Sequence, residues 1–289
     1  MHASRSLLTR ALCAVVTAAL AAGCTPHAAD RPATVQRMYV FDCGENRTND
    51  LSRWSPGVNV GKSWEFSDNC YLIQHAKGLM LWDSGLSDSF AASPDGVVRA
   101  GGAIRSVVTK TLASQLAQIG VEPTKITILA FSHTHSDHVG NANYFTGATL
   151  YIQQAEYDAA FGPNAAKFGF DPTNYDQLRG NPVVKLHGDY DVFGDGSVVI
   201  LATPGHTPGH QSLLVRLPKT GPVILSGDVT HFEDNWVNRR VPANNFDRDQ
   251  SLKSMDKIAA LLSSTKAQLW INHDKAQSAG IAKAPAHVE

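Results

Sequence analysis

Ser132-His133-Thr134-His135-Ser136-Asp137-His138 places three imidazoles and a carboxylate directly after the apolar run Ile126-Thr127-Ile128-Leu129-Ala130-Phe131. On a loop at a strand end, His133 and His135 can point the same way and grip one cation, while Asp137 and His138 face a second. Neutral imidazole and carboxylate suit borderline Zn2+, and no ligand-competent Cys lies nearby to suggest a thiolate site. The rival reading is a polar loop or a His-rich storage tract. The rest of the chain argues against it. Thr203-Pro204-Gly205-His206 follows Val198-Val199-Ile200-Leu201, Asp228 ends Val223-Ile224-Leu225-Ser226-Gly227, and His273 follows Leu269-Trp270-Ile271-Asn272. Each ligand group stands just past a hydrophobic run.

The pattern His-x-His-x-Asp-His, then Gly-His, then Gly-Asp, then a late His resembles the metallo-β-lactamase superfamily over about residues 38 to 275. The resemblance implies an αββα sandwich, that is, two mixed β-sheets flanked by helices, with two divalent metal ions of which Zn2+ is the first choice. It assigns His133, His135 and His206 to metal one, Asp137, His138 and His273 to metal two, and Asp228 to a bridge between them. Zinc β-lactamases generally lack a bridging Asp at this place, whereas lactonases and glyoxalase II type thioesterases have it. Phe41-Asp42-Cys43-Gly44, Cys70-Tyr71-Leu72-Ile73, Leu81-Trp82-Asp83-Ser84-Gly85 and His133 to Asn141 are similar to the N-acyl homoserine lactonases, the quorum-quenching enzymes. One position departs from that likeness. Well-known lactonases place a Tyr three residues after the bridging Asp to assist the substrate carbonyl, and here that position is His231. An imidazole can donate the same hydrogen bond, so His231 is either the carbonyl donor or an ordinary loop histidine.

The implied reaction is metal-dependent ring opening of an N-acyl homoserine lactone. Two cations about 3.5 to 4 Å apart share a hydroxide, because metal binding lowers the pKa of water from near 16 toward about 7. The oxyanion is then stabilised by His231 or a loop donor, and Asp137 hands a proton to the leaving alkoxide. His210, four residues past His206, reads either as an orienting partner of a ligand or as a core histidine. Trp54, Phe66, Phe161, Phe168, Phe170 and Trp236 are candidates for an acyl-chain pocket or for ordinary core. Three alternatives stand beside the lactonase. A β-lactamase-like hydrolase suits export but not Asp228. A thioesterase of the glyoxalase II type needs a helical extension, and only 61 residues follow Asp228. A non-catalytic zinc-binding lipoprotein would close a structural site with four protein ligands.

Arg5 and Arg10, then the apolar stretch Ala11 to Ala22, then Ala21-Ala22-Gly23-Cys24, read as an export signal over residues 1–23. The apolar stretch falls short of the roughly 20 residues that span a membrane. Cys24 is either lipidated or lies near an ordinary cleavage point, and Thr25 rather than Asp after it points to the outer membrane. The expectation is an exported protein of the periplasm or outer membrane, touching membrane only through an anchor at Cys24. Residues 24–37 read as a flexible tether, and 38–289 as one hydrolase domain. Without residues 1–23 the chain has 23 basic and 26 acidic residues, since only Arg5 and Arg10 leave. That balance carries no footprint for nucleic acid and favours a small lactone as partner. Cys43 and Cys70 remain in an oxidising compartment, as a disulfide or as two buried thiols.

Ten short apolar runs read as strands, among them Thr149 to Gln153, Val183 to Leu186 and Val198 to Ala202. Ile104, Val107, Val108, Leu112, Leu116 and Ile119 recur at helical spacing up to Gly120, and Leu252, Met255, Ile258, Ala259 and Leu262 repeat the pattern. Asp195-Gly196 reads as a hairpin turn. The stretches Glu45 to Asp68, Phe161 to Arg179 and His231 to Asp249 are expected to wall the substrate cleft.

Overall fold

Hydrophobic side chains alternate between the two faces of the central strands, and that alternation builds the layers. In the computed structural model, which describes residues 1–2 and 34–289, the first sheet is formed by β1 (Val35–Thr48), β2 (Trp64–His75), β3 (Gly78–Trp82), β4 (Val97–Arg99), β5 (Ile104–Val107), β6 (Ile128–Ala130), β7 (Thr149–Gln153) and β8 (Val183–Leu186). Its strand order is β4-β5-β1-β2-β3-β6-β7-β8. The second is formed by β9 (Tyr190–Asp191), β10 (Val198–Ala202), β11 (Gln211–Leu217), β12 (Gly221–Leu225) and β13 (Gln268–Trp270), in the order β13-β12-β11-β10-β9. The helices are α1 (Leu112–Gln118), α2 (Gln154–Phe161), α3 (Glu233–Val237), α4 (Arg248–Thr265) and α5 (Lys275–Ala279).

Met80 and Trp82 of β3 enter the core between the sheets with Tyr71, Ile73, Leu213, Val215, Val223 and Leu225. Leu81 between them faces outward onto Leu112 and Leu116 of α1. On the other side, Leu214 and Ile224 pack outward against Met255 and Ile258 of α4. This is the expected αββα sandwich. Strands β3, β6, β7 and β8 run parallel, as do β12 and β13. Within each parallel set the strands finish at the same edge, and the loops that follow them carry the site.

The structure corrects two expectations. Residues 104 to 107 form strand β5, paired with β1 through Glu45↔Val107, not the first turns of a helix. The apparent period joined an edge strand to a short helix. Thr111, whose hydroxyl accepts from Ser114 N, caps α1 and starts it at Leu112. The tether also ends sooner than residue 37, since Val35, Gln36 and Arg37 already belong to β1. The expected signal segment, the lipidation at Cys24 and the tether up to residue 33 lie outside the described residues, Met1 and His2 apart.

Cys43 and Cys70 form a disulfide, with Cα atoms 5.9 Å apart. It staples β1 to β2 below the part of that hairpin which reaches the site. The Asp195-Gly196 turn lies in a hairpin between β9 and β10, with Asp191 accepting from Gly194 N and Gly196 N. No helix among the described residues is long and apolar enough to cross a membrane.

Candidate metal centre

Loops after four strands converge on one buried cluster. The loop after β6 supplies His133, His135, Asp137 and His138, the loop after β10 supplies His206, the end of β12 supplies Asp228 and His231, and the end of β13 supplies His273. His133 Nε2 lies 2.8 Å from His135 Nδ1, which lies 3.0 Å from His206 Nε2. Asp137, His138 and His273 form a second group able to hold an ion. Asp228 stands between the two. Its Oδ2 is 3.3 Å from His206 Nε2 and 3.8 Å from His133 Nε2, while its Oδ1 is 3.0 Å from His273 Nε2 and 3.4 Å from His138 Nε2.

Within each candidate group the ligand atoms lie within 4.8 Å of one another. His138 Nε2 and Asp228 Oδ1 are buried and have no hydrogen-bond partner despite their proximity, a cost that a bound cation removes. Burial holds His133 and His206 well below the usual imidazole range and His135 below it, so all three offer lone pairs. Burial also opposes charge on His138 and His273, yet the Asp228 carboxylate outweighs it, raising His138 well above its ordinary value and His273 to about 9. Asp228 is pushed up by burial and pulled far lower by His273, His231 and His138. The buried carboxylate thus draws positive charge onto its neighbours, and divalent ions supply that charge without protons. The donor set of imidazole and carboxylate fits such ions.

His231 also falls, with His206 and Asp228, in a group able to hold an ion, but its outer ring nitrogen differs from those of the other five imidazoles. His133 Nδ1 meets Ser132 Oγ at 3.1 Å, His135 Nε2 meets the Phe168 carbonyl at 3.0 Å, and His138 Nδ1 meets Asp83 Oδ2 at 3.1 Å. His206 Nδ1 meets Asn245 Oδ1 at 2.9 Å, and His273 Nδ1 meets the Ser67 carbonyl at 2.7 Å. Such partners fix the tautomer that turns a lone pair inward. His231 differs. Its Nε2 stands 3.1 Å from Asp228 Oδ2, but its Nδ1 is buried with no partner. A proton on Nδ1 would be an unsatisfied buried donor, so the proton belongs on Nε2, beside Asp228 Oδ2.

A sequence profile of the metallo-beta-lactamase superfamily matches residues 64–265. The chain belongs to this superfamily. It is 31% identical over 264 residues to the N-acyl homoserine lactonase AttM of Azorhizobium caulinodans, spanning 88% of this chain and 98% of that one. It is 30% identical to an N-acyl homoserine lactonase of a Bacillus species, spanning 88% and 100%. Among solved structures it is similar to an N-acyl homoserine lactone hydrolase with the product N-hexanoyl-L-homoserine bound at the catalytic metal center. That likeness has a TM-score of 0.77 and 26% identity, covering 88% of this chain and 100% of the other.

In this member of the superfamily further residues hold the centre in place, and of them the sequence had offered only His210 for that role. His210 does orient the centre: its Nε2 accepts from Asp228 N at 2.8 Å, its Nδ1 meets the Thr203 carbonyl at 2.9 Å, and burial lowers it to about 4, keeping it neutral. Asp83 accepts from Ser132 N at 2.6 Å as well as meeting His138. Glu156, fully buried at the start of α2, accepts from Thr134 N and Oγ1 on one oxygen and from Thr207 Oγ1 and Gly209 N on the other, all within 2.7 to 2.9 Å. It clamps together the two loops that carry His133, His135 and His206. A Cβ at Gly209 would lie 2.3 Å from Glu156 N, so the loop can approach only as glycine. Glu156→Gln would turn an amide N–H2 toward two donors. Equilibrium unfolding should show a loss of about 3 kcal/mol, and metal titration should show weaker binding. Unchanged values in both would reduce Glu156 to a bystander.

The cluster floors a cavity of about 330 Å3 lined by Trp54, Phe66, Arg53, Arg99, Ile104 and Asn244 among others. A second cavity of about 220 Å3, walled by Phe168 and Phe246, opens on His135 and His206. All three long stretches expected at the cleft contribute. Of the aromatic candidates, Trp54, Phe66 and Phe168 line these cavities, whereas Phe161 packs on the outer core of the first sheet, Phe170 is buried in it, and Trp236 packs with α4.

Proposed function

We propose that this enzyme is a dinuclear metallohydrolase that opens the lactone ring of N-acyl homoserine lactones. The carrying observation is Asp228, whose two oxygens face the two groups of imidazoles, in a chain 31% identical over 264 residues to an N-acyl homoserine lactonase. His133, His135 and His206 would hold one ion, Asp137, His138 and His273 the other, with Asp228 shared and Zn2+ the ion that this donor set suits. When bound, such ions supply a water that ionises near neutral pH and a Lewis acid for the carbonyl.

The protein's own groups do the rest. His231, which lines the cleft, would turn its Nε2 proton from Asp228 Oδ2 to the substrate carbonyl oxygen, a hydrogen bond worth most when that oxygen becomes anionic. Asp137 is held by Asn46 Nδ2 on Oδ2 at 2.9 Å. Burial raises its carboxyl, but His138, Arg99 and His273 bring it to about 2, so it stands ionised. Asp137 Oδ1 takes the proton released as water adds to the carbonyl, and returns it to the ring oxygen as that C–O bond breaks. A lactone needs this delivery because an alkoxide leaves poorly. The export signal and Cys24 support placing the enzyme outside the cytoplasm, anchored by lipid at Cys24.

The test is mass-spectrometric detection of a one-water gain when the mature chain meets a long-chain N-acyl homoserine lactone and, separately, a penicillin, each with and without chelator. Chelator-sensitive hydration of the lactone is expected. Hydration of the penicillin alone, or of neither, overturns the reading.

A further inference from the structure

We propose that Arg99 binds the acylamino carbonyl oxygen of the substrate, and so makes the enzyme select N-acylated lactones over plain alkyl lactones; this rests on the lactonase reading. Arg99 ends β4 and lines the main cavity beside Ser136 and Asp137. Its guanidinium is held on three sides. Nε donates to Ser106 Oγ at 2.8 Å, Nη1 to Ser136 Oγ at 2.5 Å and Nη2 to Asn46 Oδ1 at 3.1 Å, while Cζ lies 5.7 Å from the centre of the Phe90 ring.

None of these three acceptors is a carboxylate. A guanidinium carries five N–H donors in a planar fork, so two remain, in a fixed orientation, after the three protein bonds. The arrangement is that of a cationic donor immobilised in advance at the border of the metal loop, its charge felt by Asp137 but two of its N–H groups free of protein acceptors. Anchoring of this kind lowers the ordering cost when a ligand acceptor arrives.

A neutral lactone offers its ring oxygens to the centre itself. The strong acceptor left over is the amide carbonyl, attached through nitrogen to the carbon next to the lactone carbonyl, and therefore close to whatever borders the centre. Arg53 also lines the cavity, but it is exposed and stacks 5.9 Å from the Trp54 ring centre, with no neighbours fixing its guanidinium in the same way. Arg99 is the better placed of the two to read a single oxygen.

The experiment compares Arg99→Gln with the unaltered enzyme on an N-acyl homoserine lactone and on a γ-butyrolactone bearing an alkyl chain of equal length. The ratio of the two kcat/KM values is the readout, because damage to Ser136 or Asn46 placement lowers both alike and cancels. Loss of a charged hydrogen bond to the amide should lower that ratio roughly tenfold or more, mainly through KM. Arg99→Lys, which keeps a cation but cannot serve three protein acceptors and the substrate together, should fall between them, and it carries the test if Arg99→Gln does not fold. Equal losses on both lactones, or an unchanged ratio, overturn the assignment while leaving the lactonase reading intact. Failure of the unaltered enzyme to open either lactone removes both.

Discussion

Asp228→Ala is expected to strip metal from the protein and to lower kcat/KM by about a thousandfold or more, which is at least about 4 kcal/mol of transition-state stabilisation. The size follows from position. Asp228 is 4% exposed and is the carboxylate whose separate oxygens approach both His206 and His273, at 3.3 and 3.0 Å. Other losses would weaken one ion; this one withdraws charge from both. It also leaves His138 and His273 without the anion that raises them. Elemental analysis after dialysis, alongside lactone turnover and circular dichroism, separates loss of metal from loss of fold. Two retained ions with full turnover would end the bridging role.

His231→Phe should behave in the opposite way: metal content unchanged, kcat lower by about a hundredfold to a thousandfold, the range for removing one oxyanion donor. Phe preserves the flat ring that stacks on His273, 5.6 Å away and tilted by 21°. It deletes only the nitrogens. His231→Tyr should recover much of the rate, because a phenol places an O–H donor on the same side. Loss of an ion in His231→Phe would instead make His231 a ligand, and an unchanged rate would make it a bystander.

The members of the buried cluster were legible because metal binding demands particular side chains, and the αββα layout because a strand buried on both faces must be apolar. The supporting contacts were not. His135 and His273 lean on the carbonyls of Phe168 and Ser67, which any residue could provide. Glu156 reaches Thr134 across 22 positions, from a helix with no unusual pattern. Asp83 lies in the Leu81 to Gly85 stretch, yet its partners Ser132 and His138 are 49 and 55 positions away. Residues 104 to 119 misled because a four-residue edge strand followed by a capped helix reproduces a helical period by coincidence. Cys43 and Cys70 were undecided because pairing depends on the register of β1 against β2, where Phe41 faces Cys70.

The division of the centre between layers ties occupancy to folding. His133, His135, Asp137 and His138 follow a strand of the first sheet, while His206, Asp228 and His273 follow strands of the second. Neither sheet alone carries a complete set, so ions that bind here bind the docked sandwich and not its separated layers. Free metal at about a hundred times its dissociation constant then adds about 2.7 kcal/mol for each such site. Metal supply would set how long the enzyme survives as well as whether it turns over, with the ions acting as rivets between the two halves of the chain.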